Sequence, residues 1–383
     1  MVFEFDTDFE QEIRQSVKKL AREKIPAYQN VESSGHFPRT LFSEFANLGL
    51  TGLSIEEEFG GTDNAPTAIA VVMEELAAVD LGPAIFLSVH LMVASLIRRF
   101  GSAALKKKYL PELASGKMLA AFALTESSAG SDAGALKTVA KKNGDHYLLK
   151  GDKCWITSAG AADLYIVFAK TEPDLSKKGI TAFLVENNSK GLSFGAPEKK
   201  MGCDLSPIAT IELDDVAVSS DQIVGEINGG YEIAMGGLAG GRINIAACAN
   251  GLSRSAIEVA LAYLKERQQF NRPLIDFQAL QFMLADMKVA LEAARMLTWR
   301  AATYYQNYPD ATDFRLHPSI AKCFSTDAAM KITTDAVQLL GGAGYVKDYP
   351  VERLMRDAKM LQIVEGTNQI QRGVIAREMI NAS

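Results

Sequence analysis

The stretch HYLLKGDKCWIT (146–157) is followed by three more runs of the same kind: DLYIVFAKT (163–171), ITAFLVEN (180–187) and ATIELDDVAV (209–218). Each is short, rich in β-branched and aromatic residues, and bounded by Gly, Asn, Asp or Ser turns. No helical pattern of convincing length interrupts them. The spacing therefore predicts an antiparallel sheet or small barrel, not a series of βαβ units.

Outward from this block the period changes on both sides. In TDFEQEIRQSVKKLAREKI (7–25), Thr7 or Asp8 can cap a helix and Glu10 or Gln11 can complete a capping box. Ile13, Val17, Leu20 and Ile25 then form an apolar stripe. PTAIAVVMEELAAVD (66–80) continues in helical style, as does HLMVASLIRRFGSAALKKKYLPELASG (90–116), which ends near Gly116. After GGYEIAMGG (229–237) helical periodicity returns, in RSAIEVALAYLKERQQF (254–270), FQALQFMLADMKVALEAARMLTWRAATYY (277–305) and SIAKCFSTDAAMKITTDAVQLLGG (319–342). The order is α, then β, then α. We expect an α+β chain of three domains: helical over 1–118, β-sheet over 119–228 and a helical bundle over 229–383.

Bulk properties narrow the function classes. At 383 residues, 48% hydrophobic and 22% charged, the chain is an ordinary globular one of two or three units. A net charge of −6 argues against nucleic acid as main partner. No apolar run looks long enough to span a bilayer, and Arg242 interrupts the small-residue region 234–251. The start MVFEFDTDFEQEIR is acidic, unlike a secretory or transit signal. Cys154, Cys203, Cys248 and Cys323 lie far apart, as expected of reduced thiols in a cytoplasmic protein. His36, His90, His146 and His317 are equally scattered, so we expect no metal site.

Several segments could carry chemistry, each with a plainer reading. ALTESSAGSDAGA (123–135) mixes Thr125, Ser127, Ser128 and Ser131 with Gly130 and Gly134; backbone amides and hydroxyls could meet a phosphate or ring carbonyl, or the segment is a polar loop. It is neither a Walker loop nor a GxGxxG fingerprint. In KCWITSAG (153–160), Trp155 beside Thr157 suits a flat heterocycle, although tryptophan is usually core. QLLGGAGYVKDYPVERLMRD (338–357) has three glycines in four positions, serving either a helix C-cap or close approach to a ligand. GGLAGGRINIAACANG (236–251) suits tight helix packing, and its one cation, Arg242, could serve an anionic partner or an ion pair. In QIVEGTNQIQR (362–372), Gly366 permits an awkward turn and Thr367 can cap a helix beginning near Gln369. Ile363 and Val364 would surround Glu365 with apolar atoms, and desolvation would push its carboxyl toward the neutral range that a general base needs. Taken alone, a structural or solvated glutamate fits this segment better.

Together the segments resemble the acyl-CoA dehydrogenase family over essentially the whole chain. ALTESSAGSDAGA fits the family's first signature, QLLGGAGYVKDYPVERLMRD its second, and VEGTNQIQR its catalytic segment. The resemblance implies a three-domain flavoprotein with a C-terminal four-helix bundle, usually a homotetramer, that binds FAD. It implies that Phe122, Leu124 and Thr125 line the isoalloxazine, that Trp155, Ile156 and Thr157 cover it, and that Ser131 contacts the pyrophosphate side and bound acyl-CoA. Arg267, Phe270 and Gln278 of an adjoining subunit would hold the pyrophosphate, Gln338, Gly341 and Gly342 the adenosine half; Thr367 and Gln369 also touch FAD. Ala239, Gly241, Arg242, Gly366 and Arg377 would contact the CoA thioester. Glu365 would be the base that removes the α-proton, with electrons passing to electron-transferring flavoprotein.

Two departures sharpen this. Isovaleryl and long-chain members carry their base at the position of Gly241, which leaves Glu365 as the candidate here. Glutaryl-type members place an arginine at the position of Ala84, so alanine argues against dicarboxylic substrates. GGRINIA (240–246) and LTWRAA (297–302) look most like the short-chain and isobutyryl branches, as in fatty-acid or branched-chain degradation. An acyl-CoA oxidase is disfavoured by the chain's length, and a DNA-associated flavoprotein by its acidic balance.

Overall fold

The computed structural model describes residues 7–29, 36–308, 311 and 313–381; the first six residues of the acidic leading stretch MVFEFDTDFEQEIR lie outside them. Among the described residues six α-helices come first: α1 (Asp8–Lys24), α2 (Pro26–Gln29), α3 (Arg39–Asn47), α4 (Pro66–Ala77), α5 (Leu81–Phe100) and α6 (Ala103–Ala114). Thr7 caps α1, accepting from the Glu10 amide while the Glu10 carboxylate receives the Thr7 amide at 2.8 Å. The 90–116 segment, read as one helical run, is broken at Gly101. Gly101 turns extended and ends α5, and Ser102 caps α6 by accepting from the Leu105 amide. Among the described residues one helix, α5, is after all long and apolar enough to cross a membrane, and 83% of its apolar window is buried inside the protein.

The sheet follows: β1 (Ala120–Ala123), β2 (Val139–Asn143), β3 (His146–Thr157), β4 (Leu164–Lys170), β5 (Ile180–Glu186), β6 (Leu192–Phe194), β7 (Ile208–Ser219) and β8 (Ile223–Val224). The order is β6-β7-β3-β2-β4-β5-β8, with β1 paired to β4. Pairing is antiparallel except that β1 runs parallel to β4 and β2 meets β4 in one parallel bridge, Val139 to Lys170. β4 and β5 are buried almost throughout, which explains their unbroken apolar runs. In β3 the register against β7 shifts between Lys153 and Ile156. This bulge breaks the in–out alternation: Lys153 and Cys154 are both buried and Trp155 turns outward at φ +55°.

The remainder is helical: α7 (Gly230–Glu266), the small hairpin β9 (Gln268–Gln269) and β10 (Arg272–Pro273), then α8 (Gln278–Asn307), α9 (Leu316–Leu340), α10 (Val351–Leu361) and α11 (Asn368–Asn381). The main core runs from α1, α3, α4 and α5 across one face of the sheet to α7, α8 and α9. Small residues along α7, including Gly237, Gly241 and Gly251, allow that approach: a methyl group on Gly251 would lie 2.3 Å from the Glu74 carbonyl. All four cysteines are buried and unpaired.

Candidate active site

Glu365 sits on a turn between α10 and α11 that no ordinary sequence would adopt: both Glu365 (φ +57°) and Gly366 (φ +89°) are left-handed. Thr367 then caps α11, accepting from the Ile370 amide. The turn points the carboxyl at α7. A methyl group on Gly241 would lie 2.6 Å from Glu365 Oε2, so the absence of a side chain there is what makes room for the carboxylate. Oε2 is shut off from water and receives no hydrogen bond. Burial pushes the Glu365 carboxyl up to about 7, against the opposing charges of Arg242 and Lys322.

The expected apolar jacket forms only in part, since Val364 is half-buried against the main core. Ile363 is 54% exposed; the carboxyl lies against Gly241 of α7, with the charges of two buried cations acting on it. Arg242 is buried, donates from Nε to the Glu365 carbonyl (3.2 Å) and reaches Ser319 Oγ (3.4 Å). Lys322 is fully buried on α9, with Nζ 2.9 Å from both the Gly366 carbonyl and Asn368 Oδ1. Gln371 Nε2 also donates to the carbonyls of Glu365 and Gly366. Among the described residues neither Glu365 carboxylate oxygen receives a hydrogen bond, and its backbone N–H donates to none. The site therefore pairs an unpartnered carboxyl that titrates near 7 with a free amide.

Sequence reading missed Lys322 and Gln371, and it took Asn368 only as part of the flavin-touching run 367–369, not as a holder of the turn. Lys322 did leave a signal: it stands on the stripe Ser319, Thr326, Ala329, Thr333, Ala336, the buried face of α9, where a lysine would need a reason.

The strand residues gather at a second place. The Cys154 amide donates to the Thr125 carbonyl, and Lys153 Nζ donates to the Leu124 carbonyl and Glu126 Oε1. These bonds fasten the 123–135 loop to the β3 bulge, so Leu124 and Thr125 lie beside Trp155, Ile156 and Thr157. Phe122 packs on Phe168 at 5.0 Å between ring centroids. Trp155 is 57% exposed and offers its indole outward; Ser131 is exposed on the same loop.

The third group lines a cleft of ≈790 Å³ between the ends of α7 and α9, with Arg267, Gln338, Gly341 and Gly342 in its wall. Phe270 and Gln278 are not in that wall. They lie just beyond it, Phe270 at φ +50° and 86% exposed, Gln278 at the exposed start of α8. None of the strand residues lines this cleft. Ala239 and Gly241 are buried on α7, Gly241 against the Glu365 carboxyl, whereas Gln369 and Arg377 are exposed on α11.

These features fit FAD. The exposed Trp155 offers an aromatic face, Thr125 and Thr157 offer hydroxyls, and Arg267 offers a guanidinium for a pyrophosphate. Gly341 and Gly342 present bare backbone with no neighbour that a methyl group would meet. Among the described residues no cluster of His, Cys, Asp or Glu could hold a metal ion.

Comparison with known proteins agrees. Residues 7–117, 121–216 and 228–380 match the family models of the N-terminal, middle and C-terminal domains of acyl-CoA dehydrogenase. The chain is 39% identical over 376 residues to the mitochondrial isobutyryl-CoA dehydrogenase of Dictyostelium discoideum, covering 97% of this chain and 89% of that one. It is similar to the structure of butyryl-CoA dehydrogenase from Megasphaera elsdenii (TM-score 0.95, 41% identity, 99% and 100% of the two chains). It is also similar to a chain solved in work on the electron transferring flavoprotein of Acidaminococcus fermentans (TM-score 0.94, 41% identity, 98% and 99%). A prolyl acyl carrier protein oxidase matches at TM-score 0.93 and 30% identity over 98% and 99% of the two chains, so length does not by itself separate dehydrogenase from oxidase. The three matched domains and the 39–41% identity to these dehydrogenases over nearly the whole of each chain establish that this chain belongs to the acyl-CoA dehydrogenase family and is an FAD-dependent oxidoreductase.

Proposed function

We propose that the protein oxidises a short straight or α-methyl-branched acyl-CoA to its trans-2-enoyl-CoA, with Glu365 removing the α-proton. The observation that carries this is the unpartnered Oε2 of Glu365, buried against Gly241 with a carboxyl near neutrality. A carboxylate that nothing else hydrogen-bonds is free to take a proton, and its basicity matches the operating pH. FAD, when bound, supplies the acceptor for the β-hydrogen and its electron pair.

The chain's own part is to hold the thioester. Enolate-like charge grows on the thioester oxygen as the α-proton leaves, and the free amide of Glu365 is a donor suited to it. The proton ends on the Glu365 carboxyl, where Arg242 and Lys322 make the ionised form available again. Burial of the base keeps water from competing for it.

The names of the isobutyryl and butyryl relatives support a small acyl group. Ala84, fully buried on α5, gives no cation for a distal carboxylate. The Acidaminococcus similarity supports electron-transferring flavoprotein as acceptor. A homotetramer is supported by two features. The FAD-fitting residues of one chain fall into separate strand and cleft groups, and α8 exposes Phe282, Val289 and Met296 at seven-residue spacing. A cytoplasmic location is supported by four free buried cysteines.

Anaerobic mixing of the yellow holoenzyme with a panel of acyl-CoAs, following loss of flavin absorbance, tests this. Butyryl-CoA or isobutyryl-CoA should bleach fastest. Preference for a long-chain or glutaryl ester overturns the substrate assignment, and rapid peroxide formation without a protein acceptor would make the protein an oxidase.

A further inference from the structure

We propose that Lys322 is the positioning residue of the catalytic turn: it grips the carbonyl of Gly366 and the side chain of Asn368, and so puts a positive charge beside Glu365 without neutralising it by a hydrogen bond. The inference rests on the reading of Glu365 as the base.

Three donors converge on the left-handed pair Glu365 and Gly366: Arg242 from α7, Lys322 from α9 and Gln371 from α11. The Gly366 carbonyl already accepts from Gln371 Nε2 at 2.8 Å. A neutral donor is thus in place, and what Lys322 adds is charge. That charge is fully buried, a state proteins avoid unless it is paired. Yet among the described residues Lys322 Nζ meets only the Gly366 carbonyl and the amide oxygen of Asn368, both at 2.9 Å.

Asn368 is itself fixed, donating to Asp327 Oδ1 (2.7 Å) and Thr326 Oγ1 (2.8 Å). Asp327 in turn holds Arg372 and Gln362. The network ties α9 to both ends of the turn. The charged and titratable groups around the base are Arg242 on α7, with Arg315 acting on it; Lys322, Cys323 and Asp327 on α9; and Arg372 on α11. Of these only Arg242 and Lys322 act directly on Glu365, and both favour its ionised form. Removing one cation beside a desolvated carboxylate raises its pKa by about one or more.

The test compares Lys322→Met and Lys322→Arg in the holoenzyme by two readouts. One is the infrared carboxylic-acid band identified by its loss in Glu365→Gln, titrated with pH. The other is the rising limb of kcat/KM against pH. In Lys322→Met both midpoints should move up by about one pH unit, lowering kcat/KM about tenfold at pH 6, while affinity for a bound enoyl-CoA changes little. In Lys322→Arg less than half of the shift should appear. An unmoved midpoint in Lys322→Met overturns the proposal, and so do equal shifts in the two variants, which would make the effect one of size and not charge. If neither variant yields folded flavoprotein, Lys322 belongs to the core and the proposal likewise falls. Turnover by Glu365→Gln would instead refute the base reading, whereas an inactive Glu365→Gln with an unmoved midpoint refutes this inference alone.

Discussion

Glu126 and Glu365 are carboxylates withdrawn from water, each under the influence of a fully buried lysine, and burial brings both lysines, Lys153 and Lys322, down to about 8. The carboxylates nevertheless go opposite ways. Burial pushes Glu126 up, but the Lys153 charge and several hydrogen bonds outweigh it and hold the carboxyl below the usual range. Its oxygens receive Lys153 Nζ (2.7 Å), Thr138 Oγ1 (2.6 Å) and the amides of Lys137 (2.5 Å) and Thr138 (3.0 Å). Glu365 has two cations in range but none of their donors, because Arg242 and Lys322 bond backbone carbonyls and the Asn368 amide. Proximity of opposite charge does not make a carboxylate inert; delivery of hydrogen bonds to its oxygens does. Glu126 is a fastener between the 123–135 loop and the β3 bulge, and Glu365 is kept hungry for a proton.

The sharpest way to break this contrast is to remove each carboxylate's charge. Glu365→Gln should slow flavin reduction by about 10⁴-fold while FAD content and enoyl-CoA binding stay near normal. Near-normal bleaching by the variant would put the base elsewhere. Glu126→Gln should do the reverse, leaving Lys153 buried without its counter-charge. A loss of about 3–5 kcal/mol is expected, read as a large fall in thermal midpoint with loss of flavin. Much of it should return in Glu126→Gln/Lys153→Met, where no unpaired charge is left. If Glu126→Gln is as stable as the parent, the fastener reading is wrong.

The contrast was only half legible in the sequence. The α–β–α order was plain because amphipathic stripes and β-rich runs are local signals. Glu365 stood out because Gly366 and Thr367 marked a turn and a cap around it. Its electrostatics were not readable, because Gly241, Arg242 and Lys322 arrive from helices far away along the chain and their spacing says nothing about who meets whom. Trp155 was suspected for its chemistry, whereas its outward pose comes from a bulge that Lys153 and Cys154 enforce by both turning inward. The clue the sequence does carry is Lys322 itself, a charge on a helix face otherwise made of small, hydroxyl-bearing and aliphatic residues.

Protonation gives a third, smaller lever. Glu365 titrates at about 7 in the folded protein against 4.5 ordinarily, so folding favours its protonated form. That stability is present below about pH 4.5 and is lost as pH rises through 7. The gap of about 2.5, at about 1.36 kcal/mol each, amounts to about 3 kcal/mol. Glu365→Gln should therefore gain stability relative to the parent between pH 5 and 8, seen as converging thermal midpoints on acidification. kcat/KM runs the other way, rising with pH to a plateau above 7 as the carboxylate forms. Glu126, already held ionised, should leave no mark on either curve in this range. A pH-independent difference in thermal midpoint between the two proteins would contradict the buried-acid assignment.

The mildest change probes the geometry of the base alone. A methyl group in Gly241→Ala would come within 2.6 Å of Glu365 Oε2 and 2.8 Å of its carboxyl carbon, so something must move. The atoms in the way are the end of a flexible side chain and not backbone, so the carboxyl swings aside at little cost to the fold. Alanine also favours a helix interior over glycine by about 1 kcal/mol, which makes the variant as stable as the parent or slightly more so. Catalysis has no such tolerance, because a base displaced by about an ångström loses its line to the α-proton. Gly241→Ala should thus lose about 10- to 100-fold in kcat/KM with an unchanged or higher thermal midpoint. A similar swing could not occur at Glu126, whose oxygens are held by four donors. If Gly241→Ala keeps full activity, the carboxylate does not need the place α7 leaves for it, and the contrast between a fastened and a free acid loses its geometric basis.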